Sequence, residues 1–214
     1  MREDDALIAQ LVRELYPVGR TKPWLHIVRY LGVMACYILV CVFILGTRDN
    51  MSNMLRTNSS YVCHLLISLS IMIGAAIIAI LLTIPGHQNR RLLTRATRWM
   101  LVATTIILIY ISSHSSMIEW KAAWDIQHVK VTGLLLALSV APAAILIIIT
   151  RMNAPTILPF TGASVALASC SCAYMILKLT TADDTIAATI LWCYVPIIFT
   201  TALCYRTARL WLRW

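Results

Sequence analysis

The groups that could do chemistry in this chain are few and scattered. Asp183 and Asp184 are adjacent carboxylates, a pairing able to bind a cation or to act as acid and base. They fall between two apolar runs, where a solvated turn is the simpler reading. The five histidines are His26, His64, His87, His114 and His128. His64 and His114 fall near the ends of apolar runs, and an intramembrane histidine is a candidate for proton or metal chemistry. Near an interface the same residue more often packs and hydrogen-bonds. The sequence holds no HExxH, no GxSxG and no phosphate-cradling glycine loop. We expect no catalytic residue, no metal site and no cofactor.

Seven cysteines remain: Cys36, Cys41, Cys63, Cys170, Cys172, Cys193 and Cys204. There is no CxxC. Cys170 and Cys172 are two apart, so a helix points their thiols to different faces, which disfavours shared metal binding. Cys172 and Cys193 lie at similar depth in neighbouring runs, roughly 10 Å from the ends by helix rise. They are the candidate sensor thiols. A buried free cysteine otherwise behaves as a small hydrophobe.

The elements that position these groups are set by composition. Of 214 residues, 60% are hydrophobic and 13% charged, with mean hydropathy +0.78. Soluble domains average about 25% charged. Charge-free runs recur near the ~20 residues that cross a bilayer, and each must be helical because lipid offers the backbone no partner. The expected spans are Leu25–Gly46, Tyr61–Pro85, Trp99–Met117, Val131–Thr150, Pro159–Leu179 and Ile186–Tyr205. The fold class is all-α: a six-helix transmembrane bundle with a short cytoplasmic N-terminal amphipathic helix. Pro142 and Pro196 lie inside spans and should kink them. The first span is not read as a cleaved signal, because acids crowd its flank and GTRDN follows it.

Basic residues set the orientation. One side collects Arg2, Arg13, Arg20, Lys22, Arg29, Arg90, Arg91, Arg95, Arg98, Arg151, Arg206, Arg209 and Arg213; the other has Arg48, Arg56, Lys121, Lys130 and Lys178. Both termini are therefore expected in the cytoplasm. The organisation is a cytoplasmic helix and tail over 1–24, a transmembrane domain over 25–205, and a cytoplasmic tail over 206–214. The net charge of +9 reads as orientation and contact with the lipid bilayer. No basic, aromatic-studded domain suggests direct nucleic-acid binding.

The opening MREDDALIAQLVRELYPV stands apart. Asp4 or Asp5 can cap a helix, and Leu7, Ile8, Leu11, Val12 and Leu15 then form one apolar stripe. Pro17 and Gly19 end it. So short a helix needs a surface to be stable. Glu3, Asp4 and Asp5 suit an anionic leaflet poorly, which favours a protein partner or the protein's own helix ends.

The Asp-Asp-Ala-Leu-Ile run from Asp4 to Ile8, Pro17-Val18, six spans and the ending Leu212-Arg213-Trp214 together resemble the NrsF family of membrane anti-sigma factors. Ala154-Pro155-Thr156, Tyr174, Trp192 and Tyr194 also match. The resemblance implies a non-enzymatic regulator in the bacterial inner membrane. It would hold an extracytoplasmic-function sigma factor on the cytoplasmic side and release it on a stress signal. The stripe of Leu7, Ile8, Leu11, Val12 and Leu15 is then the sigma-binding element, and Gly86–Arg98 a possible second contact. One departure matters. Members of the family typically carry a cysteine near the start of span four and another before span six, where this chain reads VKVTGLLL and KLTTADDT. Thiol sensing by that pair does not carry over. A small transporter or channel would instead show a polar path, and an integral-membrane enzyme a titratable cluster at one depth; the spans show neither pattern.

Overall fold

The computed structural model describes residues 23–48, 51–83, 90–113, 129–153, 155, 157–181 and 186–212. The regular structure among the described residues is all helical, with no strand. In chain order they form α1 (Pro23–Leu45), α2 (Met51–Thr57), α3 (Ser59–Leu81), α4 (Arg90–Ser113), α5 (Val129–Met152), α6 (Leu158–Thr180), α7 (Ile186–Thr189), a π-helical turn at Ile190–Tyr194, and α8 (Val195–Trp211). Five stretches are long and apolar enough to cross a membrane: Trp24–Leu45, Tyr61–Leu81, Val129–Met152, Leu158–Thr180 and Ala187–Trp211. They coincide with five of the expected spans. The expected span Trp99–Met117 corresponds to α4, which starts nine residues earlier at Arg90. Its last residues, like the whole opening helix, lie outside the described residues.

The helix at the centre is α6. It contacts α3, α8 and α5 extensively and α1 and α4 at its flanks. Its composition explains the position. Gly162, Ala163, Ser164, Ala166, Ala168, Ser169, Ser171 and Ala173 are small and buried, and small residues let backbones approach where no hydrophobic effect drives helices together in lipid. Gly162 marks a close backbone approach: a Cβ there would lie 2.6 Å from Ala208 Cβ and 2.8 Å from the Cys204 carbonyl oxygen of α8. Hydroxyls add cross-links. Ser68 of α3 donates to the Ser171 carbonyl at 2.8 Å, and Thr97 of α4 lies 3.4 Å from Ser164. By contrast α1 leaves Leu39, Phe43 and Ile44 exposed, a face suited to hydrocarbon.

Both prolines inside spans follow one rule. Proline lacks the N–H that would bond the carbonyl four residues back, and its ring crowds that carbonyl. For Pro142 the orphan is Leu138, and the Tyr37 hydroxyl of α1 donates to it at 2.9 Å. For Pro196 it is Trp192, whose carbonyl accepts from Thr132 of α5 at 2.7 Å. The helix before Pro196 widens into the π turn, where the Val195 N–H bonds back to Ile190. Each break thus becomes a link to a neighbouring helix.

This pairing makes a prediction. Tyr37→Phe should cost about 1 kcal/mol, the scale of interhelical hydrogen bonds in membranes. Pro142→Ala restores the missing N–H, so in that background the Tyr37→Phe penalty should largely vanish. Tyr30→Phe is the control, because the Tyr30 hydroxyl is buried with no hydrogen-bond partner among the described residues; its removal should be neutral or stabilising. Unfolding midpoints of the four chains in detergent give the cycle. Equal Tyr37→Phe penalties with and without Pro142 would contradict it.

Helix ends are also satisfied across helices. The last carbonyls of α6 lack intrahelical donors; Tyr61 donates to that of Lys178 at 2.8 Å and the Arg48 N–H to that of Leu179 at 3.1 Å. At the opposite end Arg151 donates its Nε to the Trp211 carbonyl at 2.8 Å, with a second bond from its Nη2. A cation placed on the last turn of α8 also suits the helix dipole.

Candidate functional site

A cluster of polar and aromatic groups lies where α3, α6 and the π turn meet. His64 Nδ1 is 3.2 Å from the Tyr194 hydroxyl, and the Tyr194 ring lies 5.2 Å from that of Tyr174. One turn along α6 from Tyr174, Lys178 is buried and donates to Thr189 Oγ1 at 3.2 Å. The Arg48 guanidinium sits 5.8 Å above the Tyr61 ring, and the Tyr61 hydroxyl holds the Lys178 carbonyl. The cluster therefore ties α3, α6, α7 and the π turn together. Its sequence logic is the spacing of Tyr174 and Lys178 at i and i+4, which puts both on one helix face. The widened turn of Ile190–Tyr194 then presents Cys193 and Tyr194 to it. Single π turns are often found at functional sites.

A cavity of about 20 Å³ opens beside Tyr174, Lys178, Thr189, Trp192 and Cys193. That is room for about one water molecule, with a cation, hydroxyls and a thiol on its wall. It fits a water or an ion of similar size.

None of the seven cysteines is in a disulfide. Cys172 and Cys193 are both buried and belong to one apolar cluster, yet they face different neighbours. Cys193 lines the cavity and Cys172 does not. The Cys170 sulfur lies 3.4 Å from Thr200 Oγ1 of α8. Among the described residues no three of His, Cys, Asp or Glu come together as metal ligands. Leu7, Ile8, Leu11, Val12 and Leu15 lie outside the described residues, as do His87, His114, His128, Asp183 and Asp184.

Sequence reasoning reached His64, Tyr174, Trp192 and Tyr194 separately but not as one cluster. Lys178 read only as one of the cations that set the orientation. The available signal was its spacing from Tyr174.

The family model described as NrsF, negative regulator of sigma F, matches residues 11–214, nearly the whole chain. No curated protein and no solved structure matches it.

Proposed function

Because this chain belongs to the NrsF family, whose members are negative regulators of a sigma factor and not enzymes, we propose that it is a six-span inner-membrane anti-sigma factor. It holds an extracytoplasmic-function sigma factor at the cytoplasmic face and releases it on a stress signal. The observation that carries the reading is the family match from residue 11 to residue 214, across all five membrane-length stretches. The binding element is the opening helix, through Leu7, Ile8, Leu11, Val12 and Leu15. No direct contact with nucleic acid is required, since a sigma factor held at the membrane is kept from core RNA polymerase. The Gly86–Arg98 region, rich in arginine, supplies a second contact.

Release needs a path from signal to partner, and α6 supports one. It carries the Tyr174 and Lys178 cluster near one end and the Gly162 contact with α8 near the other. A change at the cluster that tilts α6 shifts the packing at the opposite end. Cys193, on the cavity wall, is the first candidate sensor thiol, and Cys172, off that wall, the second.

The sidedness this function requires is testable. Reporters active only outside the cytoplasm should work when fused at Ser52 or Trp120 and stay silent at Asn89 and after Trp214. Activity at Asn89 with silence at Ser52 would put the opening helix on the wrong side for any sigma factor and remove the proposal.

A further inference from the structure

A groove of about 450 Å³ runs between α4, α6 and α8, lined by Arg98, Phe160, Ala163, Ile198, Tyr205 and Arg206 among others. We propose that it binds one anionic phospholipid, the two guanidiniums holding the phosphate and the apolar walls one acyl chain. The inference rests on the proposed reading that this end of the bundle lies at the cytoplasmic leaflet.

Charge comes first. Arg98 and Arg206 are both exposed at the groove. Of the nine Asp and Glu of the chain, the proposed topology puts only Glu3, Asp4, Asp5 and Glu14 on the cytoplasmic side. Arg98 instead rests over the Phe160 ring at 5.2 Å, and Phe160 meets Tyr205 edge to face at 5.4 Å. The aromatics orient Arg98 while leaving its donors for a phosphate.

Depth comes second. Arg206 lies five residues before the end of α8 at Trp211, roughly 7 Å by helix rise, near the boundary between headgroups and hydrocarbon. Ile198 is eight residues earlier, about 12 Å deeper, which spans most of one ~15 Å leaflet. A soluble helix is a poor fit. One turn of helix, about 10 Å across and 5.4 Å long, would already fill the whole groove. A charged head with a long apolar tail has the shape the walls describe, and basic pockets between membrane helices suit anionic headgroups.

The test is native mass spectrometry of the full-length protein released from nanodiscs containing phosphatidylglycerol and phosphatidylcholine with identical acyl chains. The wild type should retain phosphatidylglycerol roughly thirtyfold over phosphatidylcholine, as expected for two basic contacts. Arg98→Gln with Arg206→Gln should abolish the preference, whereas Arg209→Gln, on the same helix outside the groove, should keep it. Ala202→Trp, which fills the apolar arm with both arginines intact, should also lose the lipid. No preference in the wild type, a preference unchanged by the paired Gln variant, or equal loss in Arg209→Gln would overturn the site. So would displacement of the lipid by excess inorganic phosphate, which would mark a headgroup-only anion site. Sigma-factor capture is read separately on the same preparations. Capture without lipid preference sinks only the groove; lipid preference without capture supports the groove and sinks the anti-sigma reading.

Discussion

Replacing Gly162 by leucine is expected to lower the stability of the membrane domain by about 3 kcal/mol, the upper range for overpacking a tight interface. Glycine is a poor helix former, about 1 kcal/mol worse than alanine, so a helix-interior glycine needs a packing reason. Here the reason is the backbone of α8. An added Cβ would stand 2.8 Å from the Cys204 carbonyl oxygen and 2.6 Å from Ala208 Cβ, and neither atom is the free end of a flexible side chain. The two helices must separate, and the contact between α6 and α8 is among the largest in the fold. Gly32 of α1 is the control, since a Cβ there meets nothing within 4 Å. Gly32→Ala should be neutral or stabilising, with the helix propensity gained and nothing displaced. Thermal melts in detergent should show Gly162→Leu reduced by roughly 6–12 °C and Gly32→Ala unchanged or raised. A Gly162→Leu chain with the wild-type midpoint would mean that α6 and α8 are not packed as described.

The second large effect belongs to the proposed sigma-binding helix. Leu11→Asp should weaken sigma-factor binding at least tenfold and switch on the dependent genes without stress. Burying a leucine contributes roughly 1.5–3 kcal/mol, and an aspartate at the same point must also be desolvated. About 1.4 kcal/mol is tenfold in affinity, so losing the one burial suffices. Gln10→Asp adds the same charge beside the stripe and should do little. A reporter for the sigma-dependent promoter, compared between the two variants at equal protein level, reads the difference. Equal derepression by both would mean that charge at the N-terminus, not the apolar stripe, governs the effect.

Spans were legible because hydrophobic length and the absence of charge are local properties. Five of six expected runs map onto membrane-length helices with ends shifted by a few residues. The start of α4 was not legible: Arg90, Arg91, Arg95 and Arg98 mark where hydrocarbon ends, not where the helix does. The seven-residue α2 carries too short and polar a pattern to distinguish it from a loop. Pro142 and Pro196 were legible as breaks, but which hydroxyl captures each freed carbonyl depends on helices 60 to 101 residues away in sequence. The same holds for the candidate thiols. Counting residues gave Cys172 and Cys193 a common depth, but the π turn widens the helical pitch just before Pro196. Of the two, only Cys193 lines the cavity. The polar cluster of His64, Tyr174, Lys178 and Tyr194 was visible only as separate residues, since its members come from three elements.

Co-purification decides whether this membrane protein physically holds a sigma factor. Full-length chain, tagged at its C-terminus and extracted from membranes in mild detergent, is captured after co-expression with each extracytoplasmic-function sigma factor of its host. The account predicts that one sigma factor is retained by the wild type and by Gln10→Asp and is lost from Leu11→Asp. A wild-type chain that reaches the membrane in folded form and retains no sigma factor would contradict the account.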